Sequence, residues 1–405
     1  MALQPVARAL FGACALALAL PATLIAQRRA VAGAAPIQWT EFTRAFDGYA
    51  RADSVVGGGA VVIRDGRVLS HHEYGFGDRA AGERIVDGTL YHWASITKTL
   101  TAIAIMQLRD RGRLSLEDRV TSYIPELRQM HSRFGSIDQI TIRMLLSHSA
   151  GLQNPTWPYR TGRSWEPFEP TRWEQLVSMM PYQELEFRPG SQFGYSNPAF
   201  IYLARIIEQL TGDPYATYIQ KNIWTPLSLT RSYFGATPYH LARWRSNNYT
   251  ARRDSSAREV VAANGRDFDP GITIPNSGWN APLGDLAAYA GFLTHATKND
   301  TSLTRLYENV LKQSSLKEMW QPVVRLPAGD DLGDAVGLSF FLFPSEGTPV
   351  VGHTGEQAGF RSFIYVNPQN GMAIIGALNT VDEARAEQSA AGWAKLTRQA
   401  REVIK

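Results

Sequence analysis

Ser95-Ile96-Thr97-Lys98 sets a hydroxyl and an amine three residues apart, the spacing that puts two side chains on one face of a helix, one turn from each other. A lysine taken out of water favours its neutral form, and a neutral amine beside a serine hydroxyl can accept its proton and release a nucleophile. Ser314-Ser315-Leu316-Lys317 repeats the pattern, and so short a motif recurs by chance. The settings differ. Ser95 stands at the start of an apolar run that anchors it in a core, whereas the second copy reads as the solvated face of a helix.

Two further triplets carry groups able to assist such a pair. Tyr195-Ser196-Asn197 presents a phenol and an amide at a turn, with lookalikes at Tyr307-Glu308-Asn309 in a helical stretch and Tyr365-Val366-Asn367 in a strand-like one. On residue type alone, Asn197 before Pro198 is a helix cap, and Tyr195 is equally a packing residue. His353-Thr354-Gly355 follows an apolar strand and precedes Gly359-Phe360-Arg361-Ser362. Gly355 is read as a point where substrate comes close to the backbone. His353 by itself reads as structural.

These residues need elements to hold them. Apolar runs predict strands from Gly57 to Ile63 and Val68 to Tyr74 around an Asp65-Gly66 turn, and again from Val336 to Phe343, Pro349 to Gly352, Phe360 to Val366 and Met372 to Leu378. A helix runs from Ile96 toward Gly112, and another from about 381 to 403 closes the chain. Between 115 and 330 helical signals dominate. Ser115-Leu116-Glu117-Asp118 and Thr171-Arg172-Trp173-Glu174 resemble helix-starting boxes, and Asn197-Pro198 opens a helix that ends at Gly212. The expectation is an α+β domain: an antiparallel sheet built from N- and C-terminal strands and flanked by helices, with a mostly helical lobe at 115–330 inserted. The crevice between sheet and lobe is the natural place for a site.

In this order, with Ser95 heading a core helix, Tyr195 in the inserted lobe and His353 on a C-terminal strand, the chain resembles the serine β-lactamase and penicillin-binding-protein family. The likeness is to class C β-lactamases and related DD-peptidases, D-aminopeptidases and esterases. Leu145-Leu146-Ser147-His148-Ser149-Ala150-Gly151-Leu152 is similar to that family's LL-x-H-x-S-G-L segment, with Ala150 where Ser is usual. Phe187-Arg188-Pro189-Gly190 leads into the tyrosine triplet as it does there, and Asp285-Leu286 opens a helix in a similar place. The resemblance covers roughly residues 40 to 400 and implies a β-lactamase/transpeptidase-like fold.

It also implies roles. Ser95 is the nucleophile and Lys98 the adjacent proton acceptor. Tyr195 is a base whose pKa nearby cations lower, and which of Lys98 and Tyr195 acts first stays open. Asn197 bonds the substrate amide and Lys98. The backbone N–H groups of Ser95 and Glu356 form an oxyanion hole, and His353, Thr354 and Gly355 line the substrate. No cofactor and no metal is called for, and the partner is a small-molecule or peptide substrate. One position departs from the pattern: β-lactamases of this family carry Lys where this chain has His353. A histidine near its ordinary value of about 6.5 holds a carboxylate better as pH falls. The implied function is an exported serine hydrolase working through an acyl-Ser95 intermediate on β-lactam, D-amino-acid peptide or ester substrates. The rival is a non-hydrolytic penicillin sensor or peptidoglycan binder of the same fold, which has no use for Lys98 and Tyr195 together.

Composition agrees with a folded domain of this size. Apolar residues make up 44% and charged residues 19% of 405, too apolar for a disordered chain. Cys14 is the sole cysteine, which excludes a disulfide scaffold and a paired-cysteine zinc site. His71 and His72 are neighbours on a strand and face opposite ways, so they cannot share an ion. Lys and Arg outnumber Asp and Glu by 41 to 37. Arg8, Arg28 and Arg29 belong to the N-terminal segment, however, and without them the balance is 38 against 37. No basic stripe is left to bind nucleic acid. After Arg8, residues Ala9 to Ala26 are apolar apart from Thr23. Residues 1–34 are expected to be a signal peptide cut after Ala26 or Ala34, delivering 35–405 as the catalytic domain to the periplasm or medium. Pro21 and the trailing Arg28-Arg29 weigh against the alternative, an uncleaved membrane anchor. Oligomeric state has no sequence signal here.

Overall fold

The computed structural model describes residues 35–152, 170–297, 300–344 and 349–405; the N-terminal segment and Cys14 lie outside them. Strands in the first part of the chain are β1 (Gly57–Arg64), β2 (Arg67–Asp78), β3 (Glu83–Arg84) and β4 (Leu90–His92). The middle contributes β5 (Asn248–Arg253), β6 (Glu259–Gly265) and β7 (Asn280–Pro282). The last part holds β8 (Val324–Arg325), β9 (Ala335–Val336), β10 (Phe341–Phe343), β11 (Val350–Gln357), β12 (Phe360–Asn367), β13 (Met372–Leu378) and β14 (Thr380–Asp382). Nine of them form one antiparallel sheet in the order β3-β2-β1-β13-β12-β11-β10-β9-β8. The two ends of the chain therefore meet at β1 and β13, in the register Val61↔Ile375.

The central strands are buried on both faces, which is why they read as unbroken apolar runs. Strand alternation sorts their side chains into two cores. Ala60, Val62, Phe363, Tyr365 and Ile374 point to one side, where they meet α1 (Ile37–Ala52) and, at the far end of the chain, an 18-residue closing helix (Ala386–Val403). Val61, Ile63, Ile364, Ile375 and Ala377 point to the other, against α2 (Thr97–Asp110) and the inserted lobe. From Thr97 to Leu108 every residue of α2 is buried. A helix wrapped on all sides makes a rigid platform, and Ser95 sits at its head.

The lobe contains α3 (Ile142–Leu146), α4 (Trp173–Met179), α5 (Pro198–Thr211), α6 (Tyr215–Ile219), α7 (Ile274–Ser277), α8 (Leu283–Leu293), α9 (Thr301–Val310) and α10 (Gln313–Met319); the closing helix is thus α11. It also contains a hairpin that the helical reading passed over: β5 pairs with β6, and β14 joins β5 in parallel. β6 is half-exposed along its length, so it lacks the alternation that announces a strand. β14 takes residues expected to begin the last helix, which starts only at Ala386. The stretch from Val336 to Phe343 is likewise two short strands, because Ser339 turns at φ +71° between them. Ser115-Leu116-Glu117-Asp118 caps a turn rather than a helix, with Asp118 Oδ2 accepting Ser115 N–H at 2.7 Å. In the second box Gln175, not Glu174, reaches back to the N–H groups of Thr171 and Arg172, at 2.8 and 3.1 Å.

Candidate active site

The turn that carries Ser95 is held in an unfavourable shape. Ala94 has φ +46°, a left-handed conformation that costs a residue with a Cβ about 1–3 kcal/mol and persists only where its surroundings enforce it. Trp93 N–H donates to Trp279 O at 2.8 Å, and its indole donates to Ala281 O at 2.9 Å. Thr97 Oγ1 donates to Ala94 O at 2.6 Å and accepts Trp279 N–H at 3.0 Å. On the other flank Ser362 Oγ donates to Trp93 O at 3.0 Å. Between Thr89 and Leu108, Ser95 alone is not buried.

Gly355 belongs to this clamp. A Cβ there would lie 2.3 Å from Trp93 O, 2.7 Å from Ser362 Oγ and 3.1 Å from Ala94 Cβ. The glycine is needed because the protein's own turn packs against β11, which corrects the expectation that the space is kept for substrate. The His353-Thr354-Gly355 triplet also lies inside β11 rather than beyond the end of a strand.

Lys98 is completely buried. Its Nζ lies 3.1 Å from Ser95 Oγ, 2.7 Å from Asn197 Oδ1 and 2.9 Å from Asn276 O. It also rests 4.9 Å from the ring centre of Tyr195 and 5.6 Å from that of Phe200. None of the three polar partners is a carboxylate, and burial holds the amine well below its usual range. A neutral amine has two N–H donors and one lone pair. Two of its partners are carbonyl oxygens, which can only accept; the third is a hydroxyl, which can donate. The surroundings thus suit the uncharged form, with the lone pair toward Ser95.

Asn197 occupies the cap position of α5 but makes no side-chain cap bond. Its oxygen goes to Lys98, and Ser196 Oγ instead accepts Ala199 N–H at 3.3 Å. The Tyr195 hydroxyl lies beside Ser95. Burial raises its pKa and the neighbouring Ser95 hydroxyl offsets only part of that, so the resting phenol keeps its proton. This reverses the cation-lowered value that the resemblance implied. The ring of His148 lies flat against Tyr195, with centroids 4.4 Å apart and planes at 21°.

His353 is buried beneath the site, its ring centre 6.4 Å from that of Tyr195 and 5.1 Å from that of Phe341. Its Nδ1–H donates to Thr354 O. Burial pushes its pKa down to about 3, which leaves it neutral where an ordinary histidine titrates. Thr354 is half-buried on the same strand. The Glu356 side chain, 52% exposed, pairs with Arg361 directly across on β12, Nε to Oε2 at 2.6 Å. Arg361 in turn donates to Tyr49 Oη and Ser389 Oγ.

The structure therefore gathers Ser95, Lys98, Tyr195, Asn197 and His353 around one point and lays Gly355 along the same turn. Thr354 and Glu356 are placed by the strand they share with His353. The repeats fall elsewhere. Ser314 and Lys317 are exposed on α10, Tyr307 packs in the core, and Tyr365 Oη accepts a bond from Arg401. Sequence reasoning missed Asn276, which acts through a backbone carbonyl, and gave no role to His148. Among the described residues no group of three or more His, Cys, Asp or Glu converges as metal ligands.

Gly355→Ala is expected to fold but to force β11 away from the Ser95 turn. A displacement of about 1 Å at a reacting group costs roughly 100-fold in rate. Labelling of Ser95 by a fluorophosphonate, timed by intact mass, should slow by that order; labelling at the unmodified rate would show that the close approach does not set the turn.

Sequence comparison places the chain among known proteins. The sequence model of the Beta-lactamase family matches residues 42–399. Protein flp of Staphylococcus aureus is 25% identical over 328 residues, covering 80% of this chain and 60% of its own length. Esterase EstB of Burkholderia gladioli is 30% identical over 255 residues, 58% of this chain and 64% of its own length. This chain thus spans about 60% of the length of the curated relatives it matches. In three dimensions it is similar to the D-amino acid amidase of Ochrobactrum anthropi SV3, with a TM-score of 0.70 over 90% of this chain and 98% of that one, at 19% identity; that likeness is one of fold. Since the family match runs from α1 to α11 and takes in the Ser95 turn, the tyrosine triplet and β11, the chain belongs to the Beta-lactamase family.

Proposed function

We propose that this protein is an exported serine hydrolase that transfers acyl groups through a Ser95 ester and acts on neutral amides and esters. One observation carries the reading. Lys98 is buried, its Nζ meets no carboxylate among the described residues, and it lies within hydrogen-bond distance of two carbonyl oxygens and of Ser95 Oγ. A buried lysine so placed has no evident structural purpose, and it is what a serine nucleophile requires.

Protons pass between Ser95, Lys98, Tyr195 and the leaving group in turn. Lys98 Nζ takes the proton of Ser95 as Oγ attacks the substrate carbonyl. The backbone N–H groups of Ser95 and Glu356 receive the negative oxygen, an arrangement of which each donor contributes about 10²–10³ in rate. As the tetrahedral intermediate collapses, Tyr195 Oη–H gives its proton to the departing amine or alcohol and regains one from Lys98. Water then repeats the sequence on the acyl-enzyme: its proton passes to the Tyr195–Lys98 pair, its oxygen joins the acyl carbon, and Ser95 Oγ leaves and is reprotonated. The choice of Lys98 as first acceptor follows from burial, which disfavours both lysine ammonium and tyrosine phenolate.

Charge around the site supports neutral substrates. His353 stands where a permanent cation would hold a carboxylate, yet it is uncharged, and the neighbouring Glu356 is already paired with Arg361. The relatives named an esterase and a D-amino acid amidase agree with an ester or amide acyl donor. Export is supported by the apolar run after Arg8 and the small residues around Ala26 and Ala34. Because α1 begins at Ile37, cleavage at either place leaves the first helix whole.

Three outcomes are expected. After treatment with a fluorophosphonate, intact-mass and peptide analysis finds a single adduct on the peptide containing Ser95, and Ser95→Ala neither labels nor turns over p-nitrophenyl acetate. An adduct on Ser314 rejects the assignment, and a lasting adduct without turnover makes the protein a binder. Because His353 stays neutral, kcat/KM for a penicillin and for the acetate ester change in parallel from pH 5.5 to 8; a gain for the penicillin alone at low pH would mean that His353 charges and holds its carboxylate. Protein recovered from the native host starts at Gln27 or Ala35, whereas Met1 retained in a membrane fraction replaces export with anchoring.

A further inference from the structure

His148 is buried completely and holds φ +54°, a left-handed shape that histidine, like asparagine and aspartate, adopts more readily than other side-chain-bearing residues. The turn after α3 puts it there, and its contacts converge on Tyr195 from three directions. The His148 carbonyl accepts Gly194 N–H at 2.8 Å. Its Nδ1 accepts Ser196 N–H at 3.0 Å. Its ring stacks on the phenol ring between those two anchors. The residues on either side of Tyr195 are thus tied to one histidine, and the phenol cannot swing about its backbone without breaking a buried bond.

The bond to Ser196 also fixes the tautomer. A backbone N–H can only donate, so Nδ1 must be the bare nitrogen and Nε2 must carry the proton. That Nε2 is buried and has no hydrogen-bond partner among the described residues, an omission that buried polar atoms seldom show. The ring is therefore held by stacking and by one acceptor, with its other nitrogen idle. Burial keeps the imidazole neutral, so it adds no charge beside Lys98. Phe200 flanks it at 5.2 Å and Phe341 lies nearly parallel at 6.4 Å, which closes off the space into which it could turn.

We infer that His148 is a positioning residue for Tyr195: its ring and its Nδ1 fix the phenol at the distance from Ser95 that proton transfer needs. An asparagine would fit the backbone at this turn as histidine does but would supply no aromatic surface for the phenol. A phenylalanine would supply the surface and lose the acceptor. The inference rests on the acyl-transfer reading, because it gives Tyr195 a proton to deliver.

The test is a double-mutant cycle on kcat for p-nitrophenyl acetate, in folded full-chain protein, using His148→Asn, Tyr195→Phe and both together. Asn tolerates the positive φ, and Phe at 195 preserves the ring that His148 stacks on. His148→Asn should lower kcat roughly tenfold, a fraction of the 10²–10⁴ that a proton-transferring group supplies, with KM within about twofold. In the Tyr195→Phe background the same change should have almost no further effect, since coupled residues are not additive. An equal further loss there, or an unchanged kcat in His148→Asn alone, overturns the inference while leaving the acyl-transfer reading intact. If Tyr195→Phe itself keeps full activity, the role of Tyr195 falls, and this inference with it. Should the variants fail to fold, ¹⁵N NMR of the unmodified protein decides: the Nε2–H form of His148 is expected, and an Nδ1–H form overturns the arrangement.

Discussion

An amine buried without a counter-ion is the constraint around which this structure is arranged. Removing Lys98 from water is costly, and the cost falls only if the group is neutral and its N–H bonds are used. Both conditions are met by residues far apart in the chain: Asn197 from the lobe and the backbone of Asn276 in α7. To be buried, Lys98 must lie in a helix enclosed on every side, and α2 is enclosed from Thr97 to Leu108. To be useful, it must still touch solvent-accessible chemistry, and Ser95 supplies the one opening.

The opening depends on a contact between the two halves of the fold. The strained Ala94 turn is fixed by β7 on one flank and by β11 and β12 on the other. The bare α-carbon of Gly355 lets the sheet come close enough to hold it. The sheet exists as a unit because β1 and β13 join the ends of the chain. The inserted lobe, which brings Tyr195 and Asn197, is therefore carried on a frame whose strands are also one wall of the site. A rigid wall of this kind allows reacting groups to be placed within fractions of an ångström.

Belonging to the Beta-lactamase family does not fix what is hydrolysed, since one fold serves several chemistries and the site decides among them. Here the position that carries lysine in β-lactamases holds a histidine that burial keeps uncharged, and Glu356 beside it binds Arg361 while staying partly exposed. The Arg361 cluster with Tyr49 and Ser389 satisfies buried polar groups and braces β12 against α1 and α11.

The sequence by itself determined the periodicities and the order of motifs. The apolar runs of β1, β12 and β13, the helix behind Ser95, and the cap-and-proline start of α5 are local signals, and each appears where it was read. Local signals also misled. Half-exposed β6 lacks alternation, and Asn197 looks like a helix cap until Lys98 claims its oxygen. Only the tertiary structure decided the protonation of the site, because a pKa depends on how far a group is removed from water and on which distant atoms surround it. Sequence offered Tyr195 with a lowered pKa and His353 near 6.5; burial moves the first up and the second down to about 3. In the same way Gly355 announced a close approach, but that the neighbour is the Trp93 carbonyl, from 262 residues earlier in the chain, could be known only after the chain had folded back on itself.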